Sequence, residues 1–186
     1  MTSSGTVGGD ERLRLFLGFR LPEAAAQAVV RWQREQLGVE SVRLVPLENL
    51  HVTIAFLGST PAAETRPIAN ALRAAVDGVA TPVLTPLRYR ETRSVGMLVL
   101  GDEEERATRI AEEAHRRLAD LGVYEPEGRK WLPHLTVVRF RDRPRLAPPI
   151  PDLGPVTMSD AAVYMSRLRA TGAQYDVLES VPLGGG

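Results

Sequence analysis

The sequence predicts an α+β fold built from a duplicated unit, and three observations point to it. Segments with strand-like alternation and segments with helical periodicity follow one another along the 186 residues. The pattern His-apolar-Thr-apolar occurs twice, starting at His51 and at His134, which are 83 residues apart (134 − 51). A helix and a loop precede each copy. A duplication of this kind would relate the two strands by a pseudo-twofold axis.

Length and composition indicate one globular domain, which we place at 11–183, with disordered tails at 1–10 and 184–186. The apolar fraction of 44% and the charged fraction of 25% are typical of soluble proteins. No apolar run approaches the roughly 20 residues of a membrane span, and the N-terminus lacks the apolar core of a secretory signal. The chain has no cysteine. We therefore expect a cytoplasmic protein without a disulfide framework.

Turn residues and hydrophobic periodicity divide the chain into its elements. Proline at the first turn followed by glutamate favours a helix start, as in Pro22-Glu23, and Gly58 is expected to end the first histidine strand in a turn. The chain is predicted to contain, in order, a strand at 13–19, a helix at 22–37, an extended segment at 43–46, the first histidine strand at 51–58, a helix at 60–76, strands at 82–90 and 96–100, a helix at 102–121, the second histidine strand from 134, a proline-rich loop at 142–155, and strands at 157–167 and 174–183.

Each histidine strand carries an imidazole beside a hydroxyl. Side chains two residues apart on a strand point to the same face, so His51 lies beside Thr53 and His134 beside Thr136. Two imidazoles facing one cleft supply a general acid and a general base near neutral pH. The hydroxyls can donate to phosphoryl oxygens. This set suits in-line displacement at phosphorus without a metal, and the sequence has no phosphate-binding loop, nucleophile elbow or dinucleotide fingerprint.

Other interpretations of these residues stay open. A zinc site of His51, His134 and a carboxylate has no third ligand at a diagnostic spacing. His115, on the third helix, is expected to be exposed and without a catalytic role. Trp131 and Phe140 suit core packing, with base stacking as the alternative. A formal net charge of zero argues against a general nucleic-acid coat protein. The arginine cluster 139, 141, 143 and 145 is either a solvated edge or a guide for a polyanion.

Two longer segments carry a family resemblance. These are RLVPLENLHVTIAFLG, ending at Gly58, and PHLTVVR, ending at Arg139. With the strand and helix start at 13–22 and the closing strands, they resemble the 2H phosphoesterases. The most similar branch is the RNA 2′,3′-cyclic phosphodiesterases, also called the 2′-5′ RNA ligase family. The resemblance extends over 13–183.

The resemblance implies a two-lobed α+β fold in which two antiparallel sheets line a central cleft and the helices lie outside. It implies hydrolysis of a 2′,3′-cyclic phosphate to a 2′-phosphomonoester with no metal and no other cofactor. His51 corresponds to the proton donor for the departing 3′ oxygen, and His134 to the acceptor that activates water. Thr53, Thr136 and Arg139 would hold the phosphate. The implied substrates are RNA 2′,3′-cyclic phosphate ends or small cyclic nucleotides. We expect a monomer that does not associate with a membrane.

Three features depart from this pattern. Ala55 stands where many relatives carry Arg or Lys, and Leu44 stands where an aromatic residue for base stacking is common. Strict alternation from His134 puts Arg139 on the opposite face of the strand, so that only a bulge or the strand end could bring it to the phosphate. Three other functions remain: cleavage of ADP-ribose 1″,2″-cyclic phosphate, ligation of 2′-5′ bonds, and non-catalytic binding of RNA ends or nucleotides.

Overall fold

The fold is known from a computed structural model that describes residues 11–184. The segments 1–10 and 185–186, predicted as tails, lie outside the described residues, while Gly184 lies in a bend after the last strand. The described strands are β1 (Arg12–Arg20), β2 (Val42–Leu44), β3 (His51–Pro61), β4 (Val83–Glu91), β5 (Val95–Gly101), β6 (His134–Phe140), β7 (Val156–Thr157), β8 (Asp160–Arg169) and β9 (Gly172–Pro182). The helices are α1 (Glu23–Gln36), α2 (Thr65–Val76) and α3 (Arg106–Asp120).

The strands form two antiparallel halves that meet at the two histidine strands. Their order is β7-β4-β5-β6-β3-β1-β8-β9, and β2 pairs with β6 beside this path. One pair of residues, Val52 with Leu135, joins β3 to β6. The predicted α+β class with duplicated antiparallel halves is confirmed, although the halves belong to one continuous sheet rather than to two separate ones.

The core lies on the face of the sheet opposite the histidines. Val52 and Leu135 are almost completely buried. The helices pack on the outside: α1 contacts β6, and α3 contacts β3 and α2. Because side chains alternate along a strand, burying Val52 and Leu135 turns the His and Thr side chains away from the core. None of the three helices within 11–184 is long and apolar enough to cross a membrane.

The first histidine strand is longer than predicted. Instead of ending at Gly58, β3 continues to Pro61 and pairs with Arg12 at the start of β1. Gly58 has a φ of +68°, and Leu57 has no opposite residue in β1, so the strand bulges and bends there. As a result, α2 begins at Thr65, after a short 3₁₀ turn at Ala62–Glu64, and not at 60.

The third helix starts later than predicted. Asp102 was expected to begin this helix, but α3 begins at Arg106. The Asp102 carboxylate nevertheless accepts hydrogen bonds from the backbone N–H of Thr108 at 2.7 Å and from its hydroxyl at 2.8 Å. It thus satisfies one of the free N–H groups of the first turn, as an N-cap side chain does, from outside the helix.

Candidate active site

The Val52–Leu135 pair brings the two predicted motifs together. In an antiparallel pair with this register, His51 is next to Thr136, and Thr53 is next to His134. All four side chains point to the face opposite the core. The two copies are therefore interleaved, each imidazole standing opposite the hydroxyl of the other strand. The Val52–Leu135 pair lies at the centre of this arrangement, where a pseudo-twofold axis would pass.

A cleft of about 500 Å³ opens on this face. Four of the five predicted site residues line it: His51, Thr53, Thr136 and Arg139. His134 is not one of the lining side chains. It belongs to the site through its position next to Thr53 and through its electrostatic effect on His51.

The two imidazoles are held in the same way. Nδ1 of His51 lies 2.8 Å from the carbonyl oxygen of Asn49, and Nδ1 of His134 lies 2.8 Å from that of Leu132. A carbonyl oxygen can only accept, so each Nδ1 carries the proton and each neutral ring has its lone pair on Nε2. In His51 this Nε2 is 3.0 Å from the Thr53 hydroxyl, which can donate to it. Both rings are thus oriented for proton transfer at Nε2.

The environments of the two histidines differ. The His51 ring packs against Phe16, Tyr175 and Tyr164, with ring centroids 4.8, 5.4 and 5.7 Å away. Burial lowers the pKa of His51 to about 4, opposed by its hydrogen bond to Asn49 and reinforced by the charges of His134 and Arg139. Within 11–184 no aromatic side chain stacks on His134. His51 is therefore neutral at pH 7 in the free protein.

Each histidine strand has a bulge at the equivalent position, and the side chains after the bulge point to the opposite face from the one that strict alternation predicts. Ile54 has no opposite residue in β1, and Val137 has none in β5. An extra residue in one strand reverses the alternation beyond it. Consequently Phe56 and Arg139 point to the cleft, and both line it. The bulge required to bring Arg139 to the site is present.

The bulge at Ile54 places Ala55 on the core side of β3. Ala55 is 3% exposed, so a long basic side chain there would not point into the cleft. The cleft position of this half is Phe56, which is 54% exposed. The guanidinium of Arg14, on β1, lies 5.4 Å from the centre of the Phe56 ring. Arg14 therefore supplies the positive charge in this half.

The cleft is strongly basic although the chain has no net charge. Its lining includes Arg14, Arg43, Arg139 and Arg169 and no Asp or Glu. Arg43 and Arg139 are direct partners across β2 and β6. Like charges in this position repel each other, and no carboxylate of the described residues forms an ion pair with either one. An anion between the two guanidinium groups would relieve the repulsion.

Within the cluster at 139–145, the Arg143 side chain has a structural role. The Glu91 side chain is 2% exposed and accepts hydrogen bonds from Nε of Arg143 and from the backbone N–H groups of Arg145 and Leu146. Tyr89 also donates its hydroxyl to Glu91. The start of the proline-rich loop is thus anchored by a buried carboxylate. The cluster is therefore split: Arg139 lines the cleft, and Arg143 holds the loop.

The prediction for His115 is wrong, whereas core packing of Trp131 and Phe140 is confirmed. His115 is not exposed: its Nε2 donates to the carbonyl oxygen of Ile54 at 2.7 Å, and its ring stacks on Tyr124. Trp131 packs edge-on against Phe19, as expected of a core residue, and its indole N–H donates to Thr53 O at 3.0 Å. Phe140 is in the core. Within 11–184, no three His, Cys, Asp or Glu side chains are grouped as metal ligands.

The aromatic enclosure of His51 was not found from the sequence alone. Phe16, Tyr164 and Tyr175 come from three different strands, and Phe16 stacks on Tyr164 at 4.6 Å. Alternation along β1 gives a weak signal, because Phe16 lies between Leu15 and Leu17 and so faces away from them. The sequence contains no signal that would place these rings around one histidine.

Known proteins resemble this chain over most of its length. The family model described as "LigT like Phosphoesterase" matches residues 19–84. A Methanocaldococcus jannaschii protein named RNA 2',3'-cyclic phosphodiesterase is 28% identical over 90% of this chain and 99% of its own. One of the same name from Methanothermobacter thermautotrophicus is 29% identical over 90% and 97%.

A solved structure agrees with the fold. E. coli LigT in complex with 3'-AMP superposes with a TM-score of 0.79 at 21% identity, covering 94% of this chain and 100% of that one. At this identity the likeness concerns the fold. The family model over 19–84, the two relatives and the duplicated His-x-Thr strands agree with one another: the chain is similar to the LigT-like phosphoesterases.

Proposed function

We propose that this protein hydrolyses 2′,3′-cyclic phosphates, at RNA ends or in small cyclic nucleotides, to 2′-phosphomonoesters. One observation carries the proposal: two imidazoles, each fixed through Nδ1 with Nε2 available for proton transfer, lie beside two hydroxyls at a cleft lined by arginines. Such a site matches a compact monoanion that needs one proton donor and one proton acceptor. The names of the two archaeal relatives support the same substrate class.

In the proposed reaction, Nε2 of His134 takes a proton from a water molecule as its oxygen attacks phosphorus. The bond between phosphorus and O3′ breaks, and O3′ takes a proton from Nε2 of His51. The products carry a 2′-phosphate and a 3′-hydroxyl. His51 is left neutral and His134 protonated, and exchange with solvent returns the proton. Thr53 and Thr136 donate to the non-bridging oxygens, while Arg139 supplies positive charge.

The low pKa of His51 fits this scheme only with the substrate in place. A neutral His51 cannot donate a proton from Nε2, and burial keeps it neutral in the free protein. A bound phosphate monoanion beside the ring would favour the imidazolium form, because an opposite charge within a few ångströms raises the pKa of a histidine. We propose that substrate binding therefore raises the pKa of His51, so that Nε2 becomes protonated before the reaction.

Turnover of 2′,3′-cyclic AMP by single variants tests the proposal. We expect His51→Ala and His134→Ala each to lower kcat by at least about 100-fold, the usual contribution of a general acid or base. Both should retain the circular-dichroism spectrum of the wild type. Full activity in either variant would refute the two-histidine mechanism. The product should be the 2′-phosphate by phosphorus NMR.

Metal dependence is tested separately. Excess EDTA should leave kcat unchanged, because the proposed proton transfers use only imidazoles. Activity lost with EDTA and restored by Zn²⁺ would favour a metal site instead. Equilibrium binding of 2′,3′-cyclic AMP without any turnover would favour the non-catalytic binder.

A further inference from the structure

Two polar side chains on the outer helices reach the backbone of the two histidine strands. His115, on α3, donates from Nε2 to the carbonyl oxygen of Ile54 in β3 at 2.7 Å. Gln33, on α1, donates from Nε2 to the carbonyl oxygen of Val137 in β6 at 2.5 Å. The connections are crossed, because α1 comes before β3 in the chain and α3 comes before β6. Each helix thus supports the histidine strand that follows the other helix.

The two accepting residues are equivalent in the duplication. Ile54 and Val137 are 83 residues apart (137 − 54), the same spacing as His51 and His134. They are also the extra residues of the two bulges, without a partner in β1 and β5 respectively. A bulge leaves its extra residue outside the regular ladder, and a buried carbonyl there needs another donor. His115 supplies it to Ile54, and Gln33 adds a donor to Val137, whose carbonyl oxygen also accepts the backbone N–H of Val45 at 3.0 Å.

The surroundings of the two donors show that these contacts are specific. Gln33 is 1% exposed, and its Nε2 also reaches Val45 O at 3.1 Å. The His115 ring lies 4.8 Å from that of Tyr124, nearly parallel to it. A buried amide without hydrogen-bond partners is costly, so a polar residue here is retained for its bonds. Neither side chain lines the cleft.

We propose that Gln33 and His115 are a matched pair of positioning residues that hold the two bulges and so fix the geometry of the cleft. The bulge in β3 turns Phe56 toward the cleft, and the bulge in β6 turns Arg139 toward it. Among the described residues, the ladder between β3 and β6 has one pair, Val52 with Leu135, and at the bulges β1 and β5 offer no residue opposite Ile54 and Val137. The Gln33 and His115 side chains therefore add support where the ladders are interrupted. The effect on turnover rests on the proposed function, whereas the effect on the histidine rings does not.

Variants that keep side-chain volume and remove the donor test the pair. His115→Phe keeps a ring on Tyr124, and Gln33→Met keeps the length of the side chain. We expect each to lower kcat/KM for 2′,3′-cyclic AMP about tenfold, because small displacements of catalytic groups are costly to the rate. His115→Gln, which restores an N–H donor, should recover most of the loss. Gln27→Met, on the exposed part of α1, is the matched control and should match the wild type.

The imidazole ¹⁵N resonances of His51 and His134 provide a second readout. His115→Phe should shift the Nε2 signal of His51 and Gln33→Met that of His134, each leaving the other signal near its wild-type position. If the two residues only stabilise the fold, each variant should have a lower melting temperature, unchanged ¹⁵N resonances of His51 and His134, and a kcat/KM within twofold of the wild-type value. This result would overturn the proposal. If His115→Phe does not fold, His115→Asn, too short to reach Ile54 O, is measured instead.

The two readouts also separate this proposal from the proposed function. If the wild type does not turn over any cyclic phosphate, the proposed function fails, and the resonances alone decide the role of the pair. Crossed shifts then support positioning by Gln33 and His115, and unchanged resonances refute it.

Discussion

The buried imidazole of His51 makes the stability of this protein depend on pH. Its pKa falls from 6.5 in the unfolded chain to about 4 in the folded protein. Between these pH values the unfolded state binds a proton that the folded state does not. The stabilising contribution is therefore complete above pH 6.5 and is lost as the pH falls through 4.

The size of the effect follows from the shift. At about 1.4 kcal/mol per pKa unit, the change from 6.5 to about 4 gives an upper bound of roughly 3 kcal/mol. We reduce this to about 2 kcal/mol, because His51 also lines the open cleft, where solvent screens part of the charge.

Urea denaturation from pH 7.5 to pH 4 measures this contribution. The wild type should lose about 2 kcal/mol more unfolding free energy over this range than His51→Gln, which cannot titrate. Carboxylates shared by both proteins cancel in the difference. If the two stability curves run parallel between pH 6.5 and pH 4, burial does not hold His51 neutral and the reasoning is refuted.

Three further variants test the loop anchor, the backbone near His51 and the phosphate charge. Glu91→Ala should lower the unfolding free energy by about 3 kcal/mol, because it removes the buried carboxylate that accepts hydrogen bonds from Arg143 and from two backbone N–H groups of the loop. Glu127→Ala on the surface should not, and equal melting temperatures of the two variants would contradict this. Gly18→Ala places a methyl group 3.2 Å from Cδ2 of His51. Because this would displace the imidazole ring, we expect kcat to fall roughly tenfold in a protein that still folds. An unchanged kcat would show that the position of the ring is not critical. Arg139→Gln should raise KM for 2′,3′-cyclic AMP about tenfold, which corresponds to the loss of one charge-assisted hydrogen bond. Arg141 is outside the cleft, so Arg141→Gln should not change KM. Equal KM values for the two variants would show that Arg139 does not bind the phosphate.

Part of the fold could be predicted because it depends on local patterns. Alternation placed the ends of β1 and β5 within one residue of those observed and the start of β6 at His134, and helical periodicity found α1, α2 and α3. The errors have cross-strand causes. β3 continues past Gly58 because β1 offers it a partner as far as Arg12, and α3 starts late although Asp102 still binds its first turn. The extent of the domain at 11–183 stays a prediction.

The sequence by itself determined that two His-x-Thr pairs lie on strands and that each imidazole shares a face with its hydroxyl, because a strand alternates with period two. It could not show the bulges at Ile54 and Val137, since an extra residue is defined only against the neighbouring strand. Only the tertiary structure decided that Arg139 faces the cleft and Ala55 does not. It also decided that His51 is enclosed by aromatic rings from three strands and that His115 and Gln33 support the strands across the duplication. These features arise from contacts between residues distant in the chain, which no local pattern encodes.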